Sequence, residues 1–225
     1  MAGFIRRIIN KTKEVFERLI SKARAIIDSI NSWIKRIKSH KAYIREIEES
    51  TSIYEPEMID IKLAEDLKYT LDNLVPGGIV AYMQKMTPEE RMLFIEKNLL
   101  PLIASKMSVT YDKLEWIEDD RLCGFYNHSN KVIALNMVYI SQDSEKLLTV
   151  LLNTILHECK HARQWAAVEG ADFGYSQQQI NEWKRNFDNY ISPKESDEGY
   201  FKQPVEGDAR GFANSIIDEN MIFEN

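Results

Sequence analysis

Cysteine is scarce in this chain: two residues, Cys123 and Cys159, among 225. A pair cannot build a disulfide framework, so nothing demands an oxidising compartment. Six prolines and nine glycines exclude collagen-like and low-complexity architectures. No run of about 20 uninterrupted apolar residues occurs, which excludes an ordinary transmembrane helix. The opening MAGFIRRIIN is basic, but neither a continuous apolar stretch nor a small-residue cleavage site follows, so a secretory signal is not expected. What remains is a chain with 44% hydrophobic residues, long enough to bury a sizeable core. A soluble, cytoplasmic protein is expected.

The net charge of −6 hides two opposite parts. Residues 1–45 carry 12 Lys or Arg against 3 acids, +9 in all, which leaves −15 for the rest. Within that segment Ile5, Ile8, Ile9, Val15, Phe16, Leu19, Ile20, Ala23, Ile26, Ile27, Ile30, Trp33, Ile34 and Ile37 recur at three- and four-residue steps. The spacing predicts one long amphipathic helix with a basic outer face. Three readings suit it: an arm packed on the body or on another chain, a helix on an anionic membrane surface, or contact with nucleic-acid phosphates. The last ranks lowest, because no base-reading module accompanies the charge. The chain therefore divides into a basic helical arm over 1–52, a helical scaffold over 53–107 and a region over 108–225 that carries the chemistry.

In the scaffold, Ile59, Leu63, Leu67, Leu71 and Leu74 predict a helix ended by Pro76-Gly77-Gly78. Thr87-Pro88-Glu89-Glu90 reads as a capping box with proline in the first turn, and Pro101 predicts a kink or break in the helix it opens, which runs to about Lys106. Beyond Ser108, Val109-Thr110-Tyr111 reads as a short strand. Leu122 to Tyr126 and Lys131 to Leu135 read as an antiparallel hairpin around Asn127-His128-Ser129-Asn130. His128 falls at the tip as a solvated turn residue, and Cys123 reads as a small buried residue. Ser144 caps a long apolar helix running to about Val168 and stopped by Gly170. Ser176 starts another, and Pro204 opens a last one over about 205–217. The fold class is α+β and mainly helical, with a small antiparallel β-hairpin or sheet beside the long helix.

That long helix contains His157-Glu158-Cys159-Lys160-His161. Two His four apart on a helix stand one above the other on one face, so both imidazoles reach one metal ion. The adjacent Glu158 is offset by about 100°, near enough to activate a metal-associated water without being a ligand. Cys159 and Lys160 point away. A hydrolytic zinc site needs a third protein ligand and an open fourth position. Gln164 and Ala167 stand where an extended HExxHxxGxxH motif would require Gly and a third His, and neither His40 nor His128 lies downstream. The third ligand is expected to be a carboxylate among Glu169, Glu182, Glu195, Glu198 and Glu206. Glu206 is best placed, in the first turn of a helix whose Gly207, Ala209, Gly211 and Ala213 permit close approach.

The segment from Leu156 to Gln164, followed by Tyr200, Pro204, Glu206, Asp208 and Ala209, resembles the zincin metallopeptidases. It is most similar to the small gluzincin-like proteins of ImmA/IrrE type, in bacteria or phages, that pair HExxH with a later E-x-x-A helix. The likeness covers about residues 120–217. It implies a zincin-like body in which His157, His161 and Glu206 hold Zn²⁺, Glu158 serves as general base, and a protein or peptide is cut. It also implies that Lys131 to Asn136 border the substrate cleft. Charge on the attacked carbonyl oxygen needs a further donor, for which a phenol, Tyr200 first, is expected. Asp208 is a candidate to fix a ligating His in its tautomer. The rival expectation is a structural protein on a zincin body, docked by its arm onto a phage particle or membrane with little or no turnover.

Overall fold

Contacts divide the chain into two units, Met1–Arg45 and Glu46–Asn225. The computed structural model describes residues 56–119 and 121–217, together with the helical, exposed Arg24. The expected helix over 1–45 and its boundary at residue 52 lie outside the described residues. Among those described, no helix is long and apolar enough to cross a membrane. The described body is mainly helical with one small mixed sheet.

Helix α1 (Met58–Asp72) buries Asp60, Ala64, Leu67 and Leu71. The buried face is thus turned from the expected one, with Ile59 and Leu63 only half-buried and an aspartate inside. Helix α2 is Ile79–Gln84, and α3 is Pro88–Phe94. The capping box on α3 forms as its sequence requires: Thr87 Oγ1 accepts from Glu90 N at 3.3 Å and Glu90 Oε2 from Thr87 N at 2.8 Å. Proline 101 does not break the chain's helical course. A single π turn, Ile95–Leu99, precedes α4 (Leu100–Lys106), and the proline sits in the first turn of α4.

Val109 to Tyr111 is not a strand. Ser108 takes a left-handed φ of 54° and Val109 N returns to Ala104 O at 2.9 Å, closing α4 with a buried valine. The strand is β1, Lys113–Ile117, inside the acidic stretch that obscured it. The hairpin forms from β2 (Gly124–Asn127) and β3 (Val132–Asn136), antiparallel in the register Gly124↔Leu135. The sheet, however, is mixed rather than antiparallel: β1 pairs parallel with β3, giving the order β1-β3-β2. Strand β3 is therefore central and wholly buried. Both of its edges are used, so Lys131 to Asn136 cannot offer main chain to a substrate. Asn136 instead ties down the preceding loop, donating to Asp119 O at 2.6 Å and Leu122 O at 2.7 Å.

Helix α5 (Glu145–Val168) starts at the Ser144 cap and packs against β2, β3 and the other helices. Helix α6 is Gln177–Phe187 and α8 is Pro204–Ile216. Between them lies a short helix, α7 (Asp197–Phe201); Ser196 caps it by accepting from Gly199 N at 3.0 Å. Helix α8 lies along α5 with Ala209 and Ala213 fully buried. Gly207 contributes nothing to that approach, since a Cβ there would meet no atom within 4 Å.

Candidate metal centre

The site is built where α5 and α8 meet. His157 and His161 project from one face of α5, ring centroids 4.6 Å apart and planes at 84°. Proline 204 in the first turn of α8 starts that helix so that Glu206, fully buried, faces the two rings. His157 Nε2 lies 3.2 Å from Glu206 Oε2, His161 Nε2 lies 3.3 Å from Glu206 Oε1, and the two Nε2 atoms are 3.0 Å apart. The remaining candidate carboxylates are engaged elsewhere or on other elements. Glu169 pairs with His128, Glu195 caps the Ser192 turn, Glu198 pairs with Lys202, and Glu182 lies on α6.

Three donors bonded tetrahedrally to zinc at 2.0–2.1 Å stand about 3.3–3.4 Å apart. The separations here, 3.0 to 3.3 Å, already approach that triangle. Glu206 Oε2 is buried with no hydrogen-bond partner, as suits an oxygen reserved for a cation. Two imidazoles and a carboxylate form the donor set that zinc favours at hydrolytic sites. The residues present fit the ion.

The charges are arranged around that triangle. Burial pushes the His157 pKa down to about 4, against the pull of the Glu206 carboxylate beside it. Burial would lower His161 as well, but the Glu206 carboxylate beside it prevails and holds it at about 9. Burial would raise Glu206, and the two imidazoles instead hold it well below the usual carboxylate range. The Glu206 carboxylate thus favours the protonated form of His161 within this cluster.

Glu158 is buried, with a carboxylate oxygen within 4.8 Å of the imidazole nitrogens. Burial, helped by the Glu206 charge, lifts its pKa to about 7, opposed by His161 and by the N–H of Tyr126, which donates to it. That donor comes from β2, which lies directly on α5. A Cβ on Gly124 would stand 2.5 Å from Ala134 O and 2.7 Å from Thr154 Cγ2, so only glycine admits the approach.

Several residues escaped the sequence reading. Gln164, regarded only as a missing glycine, receives the His161 ring: the Nδ1–Oε1 distance is 2.8 Å. Asp208 accordingly acts one residue removed from the histidine, accepting from Gln164 Nε2 at 2.6 Å. Tyr190 donates its phenol to Glu206 Oε1 at 2.7 Å, and Tyr200 stands edge-on behind it, ring centroids 6.3 Å apart. Arg210, one turn after Glu206, places Nη1 3.9 Å from Glu206 Oε2. Its i+4 position was the available signal. His128 is not a free turn residue: it stacks on Trp165 at 3.8 Å and 2°, and Trp165 stacks in turn on Phe187 at 4.1 Å. Both cysteines are buried. Burial pushes the Cys123 thiol up to about 12 and raises Cys159 as well. No protein family, curated protein or solved structure matches this chain.

Proposed function

We propose that the protein is a zinc-dependent metallopeptidase of the zincin type. The observation that carries the reading is the buried triangle of His157, His161 and Glu206, with the Glu158 carboxylate beside it and outside it. A purely structural zinc site is closed by four ligands and has no use for a neighbouring acid. These three residues would hold zinc, which would supply the Lewis acidity to activate water near neutral pH and polarise a carbonyl.

The chain's own residues do the rest. Glu158, whose pKa in the metal-free site is about 7, accepts a proton from the attacking water and returns it to the leaving amine. The Tyr126 N–H holds that carboxylate from the β2 side. Tyr190, whose hydroxyl reaches the Glu206 carboxylate, is the phenol positioned to donate to negative charge growing on the carbonyl oxygen; Tyr200 supports its ring. Gln164 fixes the His161 ring and Asp208 fixes Gln164. The substrate is a protein or peptide and the setting is cytoplasmic, as suits two buried cysteines not joined in a disulfide. The basic segment over 1–45 gives the enzyme a docking arm for an assembly or an anionic membrane.

The test is metal analysis of purified protein together with a comparison of wild type and Glu158→Gln in a host proteome. One zinc per chain in both, with fragments present only for the wild type, is expected. Equal cleavage by Glu158→Gln overturns the assignment of the base, and a chain without zinc overturns the centre.

A further inference from the structure

Behind the metal face, α5 carries a lysine with no exposure at all. Lys160 Nζ donates to Asp60 Oδ1 at 2.7 Å and to Tyr175 Oη at 3.0 Å, and lies 3.3 Å from Asp208 Oδ2. The rings of Tyr175, Trp183 and Phe212 surround it at 4.8, 5.1 and 5.2 Å. The Tyr175 hydroxyl accepts from Lys160 and from Arg163 Nε, at 2.9 Å, and donates to Asp60 Oδ1 at 2.6 Å. Asp60 is itself 2% exposed and belongs to α1, a hundred residues before Lys160.

This cluster meets the metal centre at Gln164. Both hydrogens of the Gln164 amide are used, one on Asp208 Oδ2 at 2.6 Å and one on Val205 O at 3.0 Å. The amide cannot turn over, so its oxygen faces His161 Nδ1 and that nitrogen must carry a hydrogen. The His161 Nε2 lone pair is thereby directed at the metal position. Resting on the metal-centre reading above, we infer that Asp60 is a positioning residue for the zinc site. It fixes Lys160, Lys160 fixes the Asp208 carboxylate, and Asp208 with Gln164 sets the orientation of the His161 ring. Without Asp60 the ammonium shifts, Asp208 gains freedom to rotate, and the amide loses its fixed direction. Partners that orient a metal-bound histidine are typically worth about 10- to 100-fold in metal affinity.

An ordinary staple between α1 and α5 would affect stability alone, and zinc affinity separates the two roles. The full-length protein is titrated with zinc against a chromophoric chelator, alongside thermal unfolding of the metal-free form. The variants are Asp60→Ala, the shape-conserving Asp60→Asn, and Leu67→Ala, which opens a cavity under α1 two turns away. Both Asp60 variants are expected to lose about tenfold or more in zinc affinity, while Leu67→Ala binds zinc like the wild type despite a lower melting temperature. Should Asp60→Ala fail to fold, Asp60→Asn decides alone. Wild-type affinity in the Asp60 variants, or losses that merely follow melting temperature in all three, would overturn the inference. A wild-type chain that binds no zinc would overturn the metal centre itself, a distinct result.

Discussion

The Nε2 atoms of His157 and His161 stand 3.0 Å apart, closer than two lone pairs tolerate without a proton or a cation between them. In the metal-free protein a proton serves, because Glu206 holds the His161 pKa at about 9. Zinc must displace that proton. Below pH 9 the affinity for zinc should therefore fall about tenfold per pH unit, and it should level off above. At least one proton should be released for each zinc bound at pH 7.5, measured by titration in weak buffer. Release of no proton would contradict the placement of that charge on His161.

Glu158 should govern the acid limb of activity. Its pKa is about 7 without metal, and a bound dication can only lower it. As pH falls through that pKa the base is protonated and lost, so kcat/KM should decline below a midpoint at or under pH 7. Glu158→Gln removes the base while keeping the shape, and should cost about 10²–10⁴ in kcat with zinc still bound one per chain. A pH–rate profile and metal analysis of the variant check both.

How much of this was legible beforehand depended on whether the signal was local. The His157–His161 pair, the Ser144 and Thr87 caps and the β2–β3 hairpin follow from short-range spacing, and each takes its expected form. Glu206 was singled out from five acids by its place in a helical first turn, and the structure brings it to the imidazoles. The parallel β1–β3 pairing was not legible, because a crossover places β1 beside a strand that follows β2 in the chain. Nor was the burial of Asp60 and Lys160. In a sequence pattern charged residues count as surface, and only their mutual pairing across α1 and α5 removes them from water. The contact of Tyr190 with Glu206 was not legible either, because nothing in sequence distinguishes two tyrosines ten residues apart.

Gly124 makes the contact between β2 and α5 possible. Gly124→Ala would set a methyl against the Ala134 carbonyl and the Thr154 side chain, at a cost of about 1–3 kcal/mol. Strand β2 would have to lift, and the Tyr126 N–H would leave Glu158. The expected result is a lower melting temperature together with a rise in the pH midpoint of the acid limb, since that N–H holds the Glu158 pKa down. Calorimetry and the pH–rate profile of the variant check the pair; a fall in stability with an unmoved midpoint would show that β2 does not tune the base.

The two phenols can be separated by their readouts. Tyr190 reaches Glu206 Oε1 at 2.7 Å, whereas Tyr200 meets the Tyr190 ring edge-on. Loss of a single transition-state donor typically costs about 10²–10³ in kcat. Tyr190→Phe should therefore lower kcat by about that factor with KM and zinc content little changed, because the ring and its packing remain. Tyr200→Phe should leave kcat within a few-fold of the wild type, and Tyr200→Ala should lower it further by freeing the Tyr190 ring. Steady-state kinetics on one cleaved peptide decide the matter. A large kcat loss in Tyr200→Phe with none in Tyr190→Phe would transfer the donor's role to Tyr200.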